Sequence, residues 1–182
     1  MSRIFLSLVT VQTAVLGYAI FRGWNIGDAT DMAVQDAVSF HMKFGLFAIL
    51  LCCFCHALLL TYFMGTGRWL EETCTAYELG PEFRRRNMNL KWTAYPAMTV
   101  CFALLIGMMI TGVAADPAST MKFEGWGSLT SAQVHLGAVL LTVTVNLAVN
   151  VGECVAIRRN GELVNSVLDR VREIRLERGL EV

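Results

Sequence analysis

Apolar residues in this chain come in four long runs, roughly Ile4 to Phe21, Phe44 to Met64, Thr93 to Ala115 and Ala132 to Ile157, with polar residues gathered between them. Crossing a ~30 Å hydrocarbon core takes about 20 helical residues, so each run predicts one transmembrane helix. One such run would also suit the buried core helix of a soluble protein. Four of them within 182 residues leave too little polar sequence to cover them. Past Gly161 the pattern changes. ELVNSVLDRVREIRLERGL sets Val164, Val167, Val171 and Ile174 three or four residues apart with charges between, which predicts an amphipathic helix with about two heptads of coiled-coil character. The pattern therefore predicts an all-α integral membrane protein: a four-span bundle over residues 1–157 and an amphipathic helical tail over 158–182.

Composition strengthens this picture. The chain is 55% hydrophobic and 16% charged, against about 25% charged in a typical soluble domain, and its mean hydropathy is +0.51. Its charges balance, but they are segregated. Arg68, Arg84, Arg85, Arg86 and Lys91 lie between the second and third runs, and Arg158, Arg159, Arg170, Arg172, Arg175 and Arg178 follow the fourth. The other two connections hold Arg22, Lys43 and Lys122 with five acids: Asp28, Asp31, Asp36, Asp116 and Glu124. Lysine and arginine collect on the cytoplasmic side, which predicts a multi-pass protein of the cell inner membrane with both termini cytoplasmic. Trp24, Trp69, Trp92 and Trp126 fall at span ends, where indole prefers to sit. The first run follows Arg3 but lacks a small-x-small cleavage site, so it reads as a retained signal-anchor. In the basic connection, Trp69, Leu70, Thr73 and Tyr77 share one helical face, predicting a short surface helix whose arginines meet anionic lipid rather than nucleic acid.

Inside the spans the polar residues are ordered. His41, Gly45, Ala48, Cys52, Cys55 and His56 fall within about 100° of helical arc, as do His135, Ala138, Thr142, Asn146 and Asn150. Small and polar residues mark helix–helix faces in a membrane. Both stripes begin with a histidine at the outer end, as two copies of a duplicated hairpin would. His41 and His135 therefore reach one depth and point inward, where they could ligate one metal from two helices, with Arg22 and Lys43 nearby to neutralise anionic substituents. The bland alternative is two hydrated interfacial histidines. His56 lies about 22 Å of helix further in, level with Gln12, Cys101, Asn146 and Asn150, which predicts a hydrogen-bonded layer fixing bundle register; a ligand pocket is the alternative. Cys52, Cys53, Cys55 and His56 would suit a soft metal, but the cysteines project in different directions. Glu153, near Arg158 and Arg159, is expected to be neutralised by them. No phosphate loop, HExxH or nucleophile elbow is present, and the six cysteines form no disulfide framework.

Through His41 and His135 on spans two and four, the chain resembles the small di-histidine membrane cytochromes b. That resemblance is architectural. It implies a haem b held by His41 and His135, with electrons passed between quinone and a partner subunit. A second histidine pair, as in the di-haem forms, is missing. The expected function is thus an anchor or electron-transfer subunit of a membrane oxidoreductase, whose tail helix joins a partner or a second copy. The alternative is a membrane scaffold or channel-like oligomer with structural histidines.

Overall fold

The computed structural model describes residues 1–181. It is 83% helical and contains α1 (Ser2–Trp24), α2 (Gln35–Ala76), α3 (Pro81–Ala115), a hairpin of β1 (Gly125–Trp126) and β2 (Leu129–Thr130), and α4 (Ser131–Glu177). A 3-10 turn, Met32–Val34, leads into α2. All four α-helices are long and apolar enough to cross a membrane. α1 packs mainly on α2 and α3 mainly on α4, giving two hairpins that associate side by side. The α1–α2 and α3–α4 connections lie at one end of the bundle, here the upper end. The α2–α3 turn and the C-terminal part of α4 lie at the lower end.

Local chemistry sets the helix ends. Gly127, with φ of 61°, opens the two-residue turn between β1 and β2, a position that favours glycine. Thr130 then caps α4: its hydroxyl accepts from Gln133 N at 3.3 Å, while Gln133 Oε1 accepts from Thr130 N at 2.9 Å. This reciprocal pair satisfies two otherwise unpaired donors. α2 ends where Glu78 turns left-handed, at φ of 52°. Leu79 N then donates to Cys74 O and Glu78 N to Thr75 O, the bonding pattern that usually selects glycine. Pro81 opens α3, where its missing N–H costs nothing. Pro96 lies inside α3 and withholds the donor that the Trp92 carbonyl would receive.

Three apolar clusters stack along the bundle. The upper one joins Leu16, Ala19, Ala48, Cys52, Leu105 and Met108. The middle one joins Phe5, Leu59, Phe63, Met98 and Ile157. The lower one joins Leu70, Cys74, Leu79, Leu163, Val167 and Ile174. Outward faces of the upper two-thirds are apolar too: Phe47, Leu50, Leu141 and Val151 are each more than half exposed. Water would oppose such a surface and a hydrocarbon solvent would not.

The structure corrects one expectation at the lower end. There is no separate surface helix between the second and third runs; α2 continues to Ala76, and α3 starts at Pro81. The tail helix continues the fourth span, because α4 passes through Ile157 and Gly161 without a break. The predicted face Val164, Val167, Val171 and Ile174 packs within the chain. Leu163 rather than Val164 leads it, and Val167 is fully buried against the ends of α2 and α3. Hydropathy falls at 158 while helical periodicity does not, so the two signals end in different places.

Candidate functional site

At the upper end, α2 and α4 bring His41 and His135 face to face. Their ring centroids are 6.4 Å apart, and the planes cross at 73°. Each ring is backed by a glycine of the neighbouring helix in its own hairpin. A Cβ on Gly23 of α1 would meet His41 Cε1 at 2.6 Å, and one on Gly112 of α3 would meet His135 Cε1 at 3.0 Å. Any larger residue would push the ring away. The two hairpins thus repeat one device, a histidine edge seated in a glycine notch. Four residues before each glycine, the backbone of Ala19 and of Met108 faces the same ring.

Hydrogen bonds fix one imidazole further. The Thr111 hydroxyl donates to Met108 O at 2.9 Å, so its oxygen is free to accept from His135 Nδ1 at 3.2 Å. That leaves the proton on Nδ1 and a lone pair on Nε2, the tautomer a metal ligand needs. His41 Nδ1 is buried and makes no full hydrogen bond.

Both rings open on a cavity of about 700 Å³ walled by Leu16, Ile20, Ile49, Val139 and Val143, with Gly23, Gly45 and Gly112 widening it. This is within the size range of small-molecule and cofactor sites. Lys43 and Asp116 contribute to its wall. Arg22 does not line it; the guanidinium lies over the Phe40 ring, 4.7 Å from the centroid. At the rim, the Thr30 hydroxyl and backbone N–H both donate to Asp28, holding its carboxyl below the ordinary carboxylate range. The glycine of α4 two residues after His135, Gly137, is exposed and outside the cavity; the notches come from α1 and α3 instead.

The second cluster lies between the upper and middle apolar clusters and draws on all four helices. Gln12 of α1 donates through Nε2 to Asn146 Oδ1, which also accepts from Asn150 Nδ2 at 3.1 Å. Asn146 Nδ2 is 3.0 Å from His56 Nε2, and His56 Nδ1 is 2.7 Å from Glu153 Oε1. The Cys101 thiol and the Phe102 edge close over the His56 ring. Gln12, His56, Asn146, Asn150 and Glu153 are all at most 2% exposed.

The structure therefore gathers Gln12, His56, Cys101, Asn146 and Asn150 into one layer, and adds Glu153. The expected pairing of Glu153 with Arg158 and Arg159 does not occur; its partner is His56. The clue was available, since 146, 150 and 153 lie on one helical face. Among the described residues, no three metal-ligating side chains converge, Cys52, Cys53 and Cys55 included.

Compared with protein-family models, curated proteins and solved structures, the chain matches none of them.

Proposed function

We propose that this chain is a membrane electron-transfer subunit binding one b-type haem between His41 and His135. The spacing of the two imidazoles carries this reading. Metal–imidazole bonds of about 2 Å, plus roughly 1 Å from each ring nitrogen to its ring centre, would put the centroids of two imidazoles holding one metal ion from opposite sides about 6 Å apart. The observed separation is 6.4 Å.

The surrounding residues fit the group. The cavity is large and apolar, the glycine notches seat both rings, and Thr111 orients His135 for ligation through Nε2. When bound, haem held by two imidazoles supplies one-electron transfer. The apolar walls would exclude water, and Lys43 would offer a cation to the propionates. Arg22, turned onto Phe40, would act on the site only through its field.

Four helices suited to a bilayer and the placement of arginine and lysine support a multi-pass inner-membrane protein with both termini cytoplasmic. The haem would then lie near the outer face and exchange electrons with quinone or a partner subunit. The lower parts of α2, α3 and α4 would project into the cytoplasm.

A visible spectrum of the purified protein tests the cofactor. Reduced minus oxidised difference bands of a low-spin b haem are expected, and His41→Ala and His135→Ala should each abolish them, because nothing else tethers the ring. A featureless spectrum after expression with ample haem would remove the reading and leave a membrane scaffold with structural histidines. Labelling of cysteines introduced at Ala29, Ser119 and Asn165 tests orientation: the first two should react from outside and the third from inside.

A further inference from the structure

We infer that the His56–Glu153 pair is a proton-binding site inside the bundle, loaded through a cavity between α3 and α4. This goes beyond the haem reading and does not depend on it.

Hydrogen-bond accounting in the layer gives the charge state. Asn146 Oδ1 already accepts from Gln12 and Asn150, so the Asn146 group facing His56 is the N–H₂. It donates to Nε2, which must then be bare. The His56 proton is on Nδ1 and is donated to Glu153 Oε1. In this arrangement the imidazole is neutral, and the Glu153 carboxylate carries the only charge of the layer. Three buried oxygens there lack a donor: Gln12 Oε1, Asn150 Oδ1 and Glu153 Oε2. No buried nitrogen of the layer lacks a partner. Among the protein's own groups the layer offers more acceptors than hydrogens, and a lone buried carboxylate in an apolar bundle calls for a positive charge.

A proton supplies it in either of two ways. It can bond to Glu153 Oε2. Alternatively it can bond to His56 Nε2 while the amides of Gln12, Asn146 and Asn150 turn over, so that Asn146 Oδ1 accepts from Nε2–H and its Nδ2 donates to the other two. In both cases hydronium gives up one proton and becomes water, one O–H or N–H bond forms, and the pair goes from −1 to neutral. Other titratable groups facing the pair are Cys55 on α2, Cys101 on α3 and Cys154 on α4, while α1 contributes the neutral Gln12. No lysine or arginine lies within ion-pair distance of Glu153.

A cavity borders the pair. A cavity of about 310 Å³ between α3 and α4 is walled by Thr93, Ala97, Val149, Gly152 and Glu153. Gly152 has open space where a side chain would stand.

The test uses the full chain in lipid nanodiscs, labelled with ¹⁵N-histidine and titrated from about pH 9 to about pH 5, a range that spans histidine chemistry. One proton should appear at the pair. It would be seen as His56 Nε2 moving from a bare to a protonated shift, or as a protonated-carboxyl infrared band absent in Glu153→Gln. The inference is overturned if Nε2 stays bare and no such band grows, a result read in the wild type without relying on a variant's folding. Gly152→Leu should slow the response to a pH jump several-fold with the same end point. An unchanged rate would overturn the route through this cavity.

Discussion

The upper and middle levels of the bundle use the same side chain in opposite ways. Around His41 and His135 the chain removes matter: glycines stand where side chains would, and about 700 Å³ is left between apolar walls. Around His56 it adds matter, with a partner for each ring nitrogen and aromatic and thiol cover. An imidazole surrounded by space is open to contact from outside the chain. An imidazole surrounded by partners is already engaged, and its remaining freedom concerns protons. The environment, not the residue, separates a ligand from a network member.

Breaking the filled level should have the larger effect on stability. His56→Leu leaves the Glu153 carboxylate buried without its partner and should cost about 3–5 kcal/mol. His56→Asn, which can still donate and accept, should cost clearly less; denaturation in mild detergent measures both. Equal costs would mean that the hydrogen bonds at this level contribute little. Next comes the lower cluster. Val167 is fully buried among α2, α3 and α4 residues, so Val167→Lys should loosen the lower end by about 2–3 kcal/mol. Protease sensitivity confined to the lower end would confirm that the face packs within the chain. If a dimer dissociates instead and proteolysis is unchanged, the face belongs to an interface.

The emptied level should respond more narrowly. Gly23→Val and Gly112→Val each place atoms where a ring edge lies, which should cost about 1–3 kcal/mol and, if haem binds as proposed, abolish its spectrum. Gly137→Ala, which lies outside the cavity and meets nothing within 4 Å, should keep it. A haem spectrum unchanged in both valine variants would sever the notches from the site. The smallest effect is a gain. Glu78→Gly relieves a left-handed backbone at an exposed position and should add about 0.5–1 kcal/mol, read as a raised melting temperature.

Much of this was legible in the residues, for physical reasons. The spans follow from hydropathy, and the layer partners follow from counting depth along helices of known rise. Glu153 escaped because sequence neighbours, Arg158 and Arg159, were weighed above helical face-mates. The glycine notches could not be read, because the α1 residue that lies beside His41 depends on how the connection over residues 25–34 sets the hairpin register. The lower end was misjudged for another reason. Hydropathy reports where a bilayer would end, whereas α2 and α4 are held helical beyond that point by their own apolar contacts at Leu70, Cys74, Leu163 and Val167.

That continuity has a mechanical consequence. α4 holds 47 residues in one helix, about 70 Å at 1.5 Å per residue, with His135 near one tip and Ile174 near the other. A jointless rod of that length acts as a lever: pivoting by about 5° about its middle moves each tip about 3 Å. Three ångströms at the upper tip is half the gap between the two imidazoles. Whatever grips the far tip has leverage on that gap.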